Sequence, residues 1–275
     1  MTRYRHSFHA GNFGDVHKHV TLTALLQALA RKDKGFLYLE THAGRGSYDL
    51  GASGESRASA AGIERVLRSA EHPEITDYAQ AIAEWRTRSA NPRGYPGSPL
   101  IAAKRLRPQD RAVLIELLAE EAGALETALP RPARAQIVQA DGFERLRAYL
   151  PPAERRGLTF VDPSYEAQGE LARAAGAIAE ALRRFQTGVI AVWYPIKDAR
   201  DTRAWHAALR ASLPRELLAA ELWLHPCDSR VALNGSGVLI VNPPHGIAER
   251  MQAWLPALRS LLDPSGAGGT SVRFL

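Results

Sequence analysis

The stretch that most constrains this chain runs from Gly157 to Tyr165, Gly-Leu-Thr-Phe-Val-Asp-Pro-Ser-Tyr. Its first five residues are nearly all apolar and do not alternate, which predicts a strand covered on both faces, as in a parallel sheet flanked by helices. Pro163 has no N–H to give a ladder, so the strand ends there. In open α/β sheets ligands sit beyond the carboxyl ends of the strands, which puts Asp162 and Tyr165 in the expected crevice. Asp162 offers a carboxylate, Pro163 a carbonyl held by a fixed φ, and Tyr165 a flat ring. The set suits an exocyclic amine on a flat heterocycle: two acceptors take its N–H groups while the ring stacks. A purely structural account of the same residues also stands open, in which Asp162 caps the following helix and Tyr165 is core.

Upstream, Val16 to Ala30 carries an apolar stripe at helical spacing, with Asp15 as the expected N-cap. Phe36 to Glu40 reads as a strand that runs into Thr41-His-Ala-Gly-Arg-Gly-Ser, a Gly-x-Gly turn of the kind that brings backbone close to a nucleoside. Asp49 stands where a dinucleotide fingerprint needs its third glycine, so that motif is incomplete. Residues 48–95 then show two helical patterns, around Ile63 to Leu67 and Ile75 to Trp85, and no strand. They predict a helical subdomain inserted within a single domain spanning 1–275.

The strand–helix rhythm resumes at Ala112 to Glu116, Gln136 to Asp141 and the opening strand, so three successive strands end in an acid: Glu116, Asp141 and Asp162. Helix capping explains any one of them; three beside a Gly-x-Gly turn predict a nucleoside-cofactor crevice. Further strands follow at Val189 to Tyr194, Glu216 to His225, Gly237 to Val241 and near Val272. The helices between them are expected at Gln168 to Phe185, Asp198 to Leu213 and Gly246 to Leu262. Asn242-Pro-Pro-His245 is a second proline corner, without the aromatic, and reads as a strand stop.

Thirty-five Lys and Arg against 29 Asp and Glu give a net charge of +6, which suits a polyanionic partner and equally an ordinary basic enzyme. One cysteine excludes an intrachain disulfide framework. No run of about 18 apolar residues crosses the sequence, and the first residues lack a signal-peptide core, so a cytoplasmic protein without membrane attachment is expected. Four histidines, His6, His9, His17 and His19, crowd the first 19 positions. They have no Cys partner and no His-Glu-x-x-His spacing, so no metal site is expected. Tyr4, Arg5 and His6 instead suggest a basic, stackable arm for nucleic acid, with a solvated terminus as the alternative.

These pieces together resemble a known family. Tyr4-Arg-His-Ser-Phe-His-Ala-Gly-Asn12, Asp15, Lys18-His19, Thr41-His-Ala-Gly-x-Gly46, Tyr95-Pro-Gly-Ser-Pro-Leu-Ile101, Glu116, Ala140-Asp-Gly-Phe143, Asp162-Pro-x-Tyr165, Trp193-Tyr-Pro195 and Asn242-Pro-Pro244 are similar to the bacterial 23S ribosomal RNA adenine-N6 methyltransferases of the RlmJ type, over essentially the whole chain. The resemblance implies an α/β, Rossmann-like S-adenosylmethionine-dependent methyltransferase fold, with a mixed sheet of about seven strands. It implies S-adenosylmethionine as methyl donor and 23S ribosomal RNA as partner. Lys18, His19, His42, Gly44, Ser98, Glu116, Asp141, Gly142 and Asp162 would line the cofactor site. Asp162, with Pro163 and Tyr165, would be catalytic, and Tyr4, with Arg5 and His6, would meet the RNA. Ser164 departs from the family's Asp-Pro-Pro-Tyr corner, although every group used above is kept. A monomer is expected. DNA adenine methylation, or a non-catalytic RNA-binding role in ribosome assembly, are the alternatives to hold against these expectations.

Overall fold

The structure is a computed structural model and describes residues 10–51, 56–129, 135–226, 229, 233–263 and 265–275, without the side chains of 56–58. The chain opens with helix α1 (Phe13–Ala30), strand β1 (Leu37–Glu40) and the short β2 (Ser47–Asp49). Helices α2 (Ser56–Ala61), α3 (Ile63–Ser69) and α4 (Pro73–Arg88) lead to β3 (Gly94–Pro96) and α5 (Ser98–Arg105). Alternation follows through β4 (Arg111–Glu116), α6 (Ala119–Ala128), β5 (Ala135–Gln139), α7 (Gly142–Arg145), β6 (Gly157–Val161), α8 (Glu170–Arg184), β7 (Val189–Ile196) and α9 (Ala199–Ser212). The chain closes with β8 (Leu217–Trp223), β9 (Gly235–Val241), α10 (Ile247–Leu262) and β10 (Gly269–Phe274).

One sheet takes the order β10-β8-β9-β7-β6-β1-β4-β5, an open Rossmann-like arrangement. Strands β1, β4, β5, β6 and β7 are parallel, whereas β9 runs antiparallel to both β7 and β8 and β10 antiparallel to β8. The sheet therefore has eight strands rather than about seven: β10 covers the edge of β8 that β9 leaves open. The inner parallel strands β1, β4, β6 and β7 are largely apolar on both sides because helices cover both sides, whereas the edge strand β5 is partly exposed. Leu37, Leu39, Val113, Ile115 and Val161 join a core with α8 and α9. Tyr38, Leu114, Leu158 and Phe160 face the other way, into a core with α1, α4, α5 and α10. Full burial of side chains such as Leu158 and Phe160 contributes about 1.5–3 kcal/mol each.

Two expectations need correction. Asn12, not Asp15, caps α1: its side chain accepts the Asp15 N–H at 2.9 Å, while Asp15 sits in the first turn. Both residue types cap well, and Asp15 is drawn inward by other partners described below. Nor is the stretch 48–95 free of strand, since β2 pairs antiparallel with β3 through Tyr48 opposite Tyr95. Its helices α3 and α4 follow the expected patterns.

The order places β1 between β4 and β6, so the chain leaves β1 to one side and later returns to the other. Such a reversal opens a crevice at the carboxyl ends of the strands.

Candidate active site

At that crevice β6 stops at Val161, and Asp162 follows with its side chain 11% exposed. Asp162 Oδ2 lies 2.6 Å from Lys18 Nζ, and the same ammonium lies 2.7 Å from Asp15 Oδ1. The Asn12 cap sets the first turn of α1, which aims Asp15 and Lys18 at the end of β6. Burial alone would lower the Lys18 pKa, but Asp15 and Asp162 together raise it above the usual lysine value. Asp162 does not cap the following helix: α8 begins at Glu170, behind Gly169 in the left-handed region. Tyr165 is itself left-handed at φ 54°, an uncommon setting for an aromatic and one that tends to mark functional corners. Its hydroxyl donates to the Trp193 carbonyl at 2.5 Å, and its ring is 9% exposed in the α8–α9 core. The core half of the structural account therefore holds for Tyr165.

The Gly-x-Gly turn lies beside this corner, with Gly44 at φ 63° and Gly46 at φ 78°. Gly44 N–H donates to Glu116 Oε2 at 2.8 Å, and Leu118 N–H to Oε1 at 2.8 Å, so Glu116 ties the turn to the end of β4. Asp141 caps α7 through the Phe143 and Glu144 N–H groups and pairs with Arg173 at 2.7 Å. Burial pushes its carboxyl up, but Arg173 and the two amides bring it below the usual range. Gly142 is pressed against the strand end: a Cβ there would meet the Thr41 carbonyl oxygen at 1.8 Å. His42 packs edge-on against Phe143 at 4.7 Å, and burial lowers its pKa to about 4 despite Asp141. A carboxylate has about four acceptor sites. Glu116 uses two and Asp141 three on the contacts above, so both keep capacity for a ligand's hydroxyl or amine. Together with two left-handed glycines at one strand end, the residues fit a nucleoside-bearing cofactor.

The remaining expected residues form a buried group behind the crevice. Ser98 donates to Glu40, and Tyr38 OH donates to the other oxygen of Glu40 at 2.9 Å. Burial raises the fully enclosed Glu40 carboxyl to about 8, against those two hydrogen bonds. His19 Nδ1 is 2.8 Å from Tyr95 OH, which in turn lies 2.9 Å from Tyr78 OH. The structure thus brings Lys18 and Asp162 together, and separately Gly44 with Glu116, and Ser98 with Glu40. Glu40, Asp15 as a partner of Lys18, and Trp193 were not singled out for these roles in the sequence. An acid closing an apolar strand was a usable signal for Glu40.

The second proline corner stands apart. Because β9 is antiparallel, Asn242 emerges beside the start of β7, at the amino-terminal end of the parallel strands and so opposite the end that carries Asp162. Its amide donates to the Gln186 and Gly188 carbonyls at 2.9 and 2.8 Å and lines a surface cavity of about 680 Å³. Among the described residues no group of three or more His, Cys, Asp or Glu is placed to hold a metal, and no helix is long and apolar enough to cross a membrane. Tyr4, Arg5 and His6 lie outside the described residues.

A family model described as "Ribosomal RNA large subunit methyltransferase D, RlmJ" matches residues 33–275. The chain is 39% identical over 278 residues to "Ribosomal RNA large subunit methyltransferase J" of Escherichia coli (strain K12), covering 100% of this chain and 99% of that one. It is 38% identical over 279 residues to the protein of the same name from Haemophilus influenzae, with the same coverage of 100% and 99%. The crystal structure of protein LPL1258 from Legionella pneumophila superposes with a TM-score of 0.88 at 37% identity, covering 96% of this chain and 98% of that one. A probable spermidine synthase from Corynebacterium glutamicum shares the fold alone, with a TM-score of 0.50 at 13% identity over 94% of this chain and 80% of that one.

Proposed function

The chain belongs to the RlmJ family of large-subunit ribosomal RNA methyltransferases, and from that premise we propose that it methylates N6 of one adenine in 23S ribosomal RNA, with S-adenosylmethionine as donor. The observation that carries this reading is the position of Asp162: at the carboxyl end of β6, at the sheet's reversal point, followed by Pro163 and Tyr165 and held by Lys18.

When bound, S-adenosylmethionine supplies an electrophilic methyl group. His19, His42, Gly44, Ser98, Glu116, Asp141 and Gly142 are the residues we assign to hold it, with Lys18 acting through Asp162. The target adenine leaves its stack at a cost of a few kcal/mol, which stacking on Tyr165 and hydrogen bonds to its amine offset. Asp162 and the Pro163 carbonyl each accept one N–H of the amine, which draws its lone pair out of the ring. Methylation makes that nitrogen cationic and strongly acidic, so its proton passes to the carboxylate already bonded to it. Positioning, rather than base strength, supplies most of the acceleration. Tyr4, Arg5 and His6 are assigned to the RNA. The same reading puts the enzyme in the cytoplasm, as a monomer.

Mass spectrometry of digested 23S RNA from cells with and without the gene tests this directly. One N6-methyladenosine is expected to disappear with the gene and to return with the wild-type copy but not with Asp162→Ala. Unchanged N6-methyladenosine would overturn the assignment, and parallel RNA and DNA oligonucleotide acceptors would show whether DNA is the substrate instead.

A further inference from the structure

A line of hydrogen bonds runs from a buried histidine of α1 to the corner at Asp162 through residues given no role above. Trp193 lies on β7 one residue past Val192, which pairs with Val161. Its ring is partly exposed, stands 5.7 Å from the Tyr165 ring, and carries the Lys18 ammonium 5.5 Å from its centroid. Its indole N–H donates to Ser236 Oγ at 2.9 Å, and Ser236 Oγ lies 2.9 Å from His17 Nδ1. Ser236 and His17 are both completely buried.

The end of the line at Trp193 has a fixed direction: an indole N–H only donates, so Ser236 Oγ accepts from it. Between Oγ and Nδ1 lies one hydrogen, from the serine or from a neutral His17, and burial keeps that imidazole neutral by lowering its pKa to about 3 against its hydrogen bond to Ser236. The arrangement leaves His17 Nε2 buried without a partner among the described residues. A fold seeking stability alone would place an apolar side chain there, because an unpaired buried polar atom is costly. What the line secures is the indole: turned about its χ2, the ring would lose the serine and change the face it shows to Lys18 and Tyr165.

We propose that Ser236 and His17 are positioning residues that lock the Trp193 indole as the second aromatic wall, beside Tyr165, of the slot for the target nucleobase. The proposal rests on the reading of the Asp162 corner as the methylating site.

The test pairs Ser236→Ala with Trp193→Phe, which keeps a ring but removes the N–H, and with the double variant. Single-turnover transfer to an RNA hairpin is expected to fall about tenfold or more in each single variant, with S-adenosylmethionine affinity within twofold of wild type. The double variant should be no slower than the slower single one, because both changes break the same bond. Independent, multiplying effects, or a full rate in Ser236→Ala, would overturn the proposal. A readout that needs no turnover is ¹⁹F NMR of protein labelled with 5-fluorotryptophan. Of five tryptophan signals, the one lost in Trp193→Phe should broaden or split in Ser236→Ala, and an unchanged sharp signal would also overturn it. If the signal responds while wild-type protein methylates no RNA, the functional reading fails and the positioning role stands.

Discussion

Lys18 and Asp162, 144 positions apart in the chain, meet at 2.6 Å with hardly any water access. Asp15 completes a group of two carboxylates and one ammonium. Lys18→Met would leave both carboxylates buried without their cation. Losing one partner of such a pair costs about 3–5 kcal/mol. Thermal unfolding should register that loss, and methyl transfer should fall at least about a hundredfold, since Asp162 is then neither held nor aligned.

Asp162→Asn separates chemistry from folding. Lys18 keeps Asp15, so the melting temperature should stay within a few degrees of wild type. The proton acceptor is gone, and single-turnover transfer should drop about a thousandfold. Near-normal transfer by a well-folded Asp162→Asn protein would remove this residue from the mechanism.

Glu40 makes stability depend on pH. Its carboxyl is raised from 4.5 to about 8 in the fold. The folded chain therefore keeps a proton that the unfolded chain gives up above 4.5, so this group's stabilisation is complete below 4.5 and is lost as pH rises through 8. His17 and His42 act at the other end. Lowered from 6.5 to about 3 and about 4, they stabilise above 6.5 and lose that contribution as pH falls through those values. Calorimetry between pH 7 and 8, above the range in which the unfolded histidines titrate, should show a downward slope in melting temperature that flattens in Glu40→Gln; equal slopes would mean that Glu40 is ionised in the fold.

Gly142→Ala would drive a methyl group to within 1.8 Å of the Thr41 carbonyl oxygen. That oxygen is backbone at the end of β1 and has nowhere to move. A loss of about 1–3 kcal/mol is expected from such overpacking, together with weaker cofactor binding by isothermal titration as the crevice spreads.

Ser164→Pro restores the proline that the family's corner carries. No hydrogen bond from the Ser164 N–H is found among the described residues, so proline removes no bond there. The turnover number is expected to rise or stay level; a large fall would show a corner re-set around serine.

The strands were readable because full burial on two faces writes itself as short apolar runs, and Pro163 and the acids at Glu116, Asp141 and Asp162 mark where those runs end. β2 and β3 were not, since three residues have no period and the ladder between Tyr48 and Tyr95 comes from packing. The cap of α1 was misplaced because Asn12 and Asp15 are equally good caps in isolation, and the bonds Asp15 makes to Lys18 and to the Gly11 N–H form only in the fold. The site was half legible. Each acid could be found locally, but what it bonds to could not: Lys18 with Asp162, Ser98 with Glu40 and Trp193 with Ser236 join segments that meet only when the sheet is complete.

The antiparallel return of β9 onto β7 has a bearing on how the chain is made. His17 and Ser236 are separated by 219 positions, and the strand that carries Ser236 is among the last to be synthesised. A ribosome making this protein exposes α1, the glycine turn and the Asp162 corner long before the wall behind Trp193 can close. The indole of Trp193 thus gains its backing from a strand that follows it by more than forty positions, so a chain cut before Gly235 would hold the Asp162 corner and the glycine turn but leave His17 and the Trp193 indole without the serine they share.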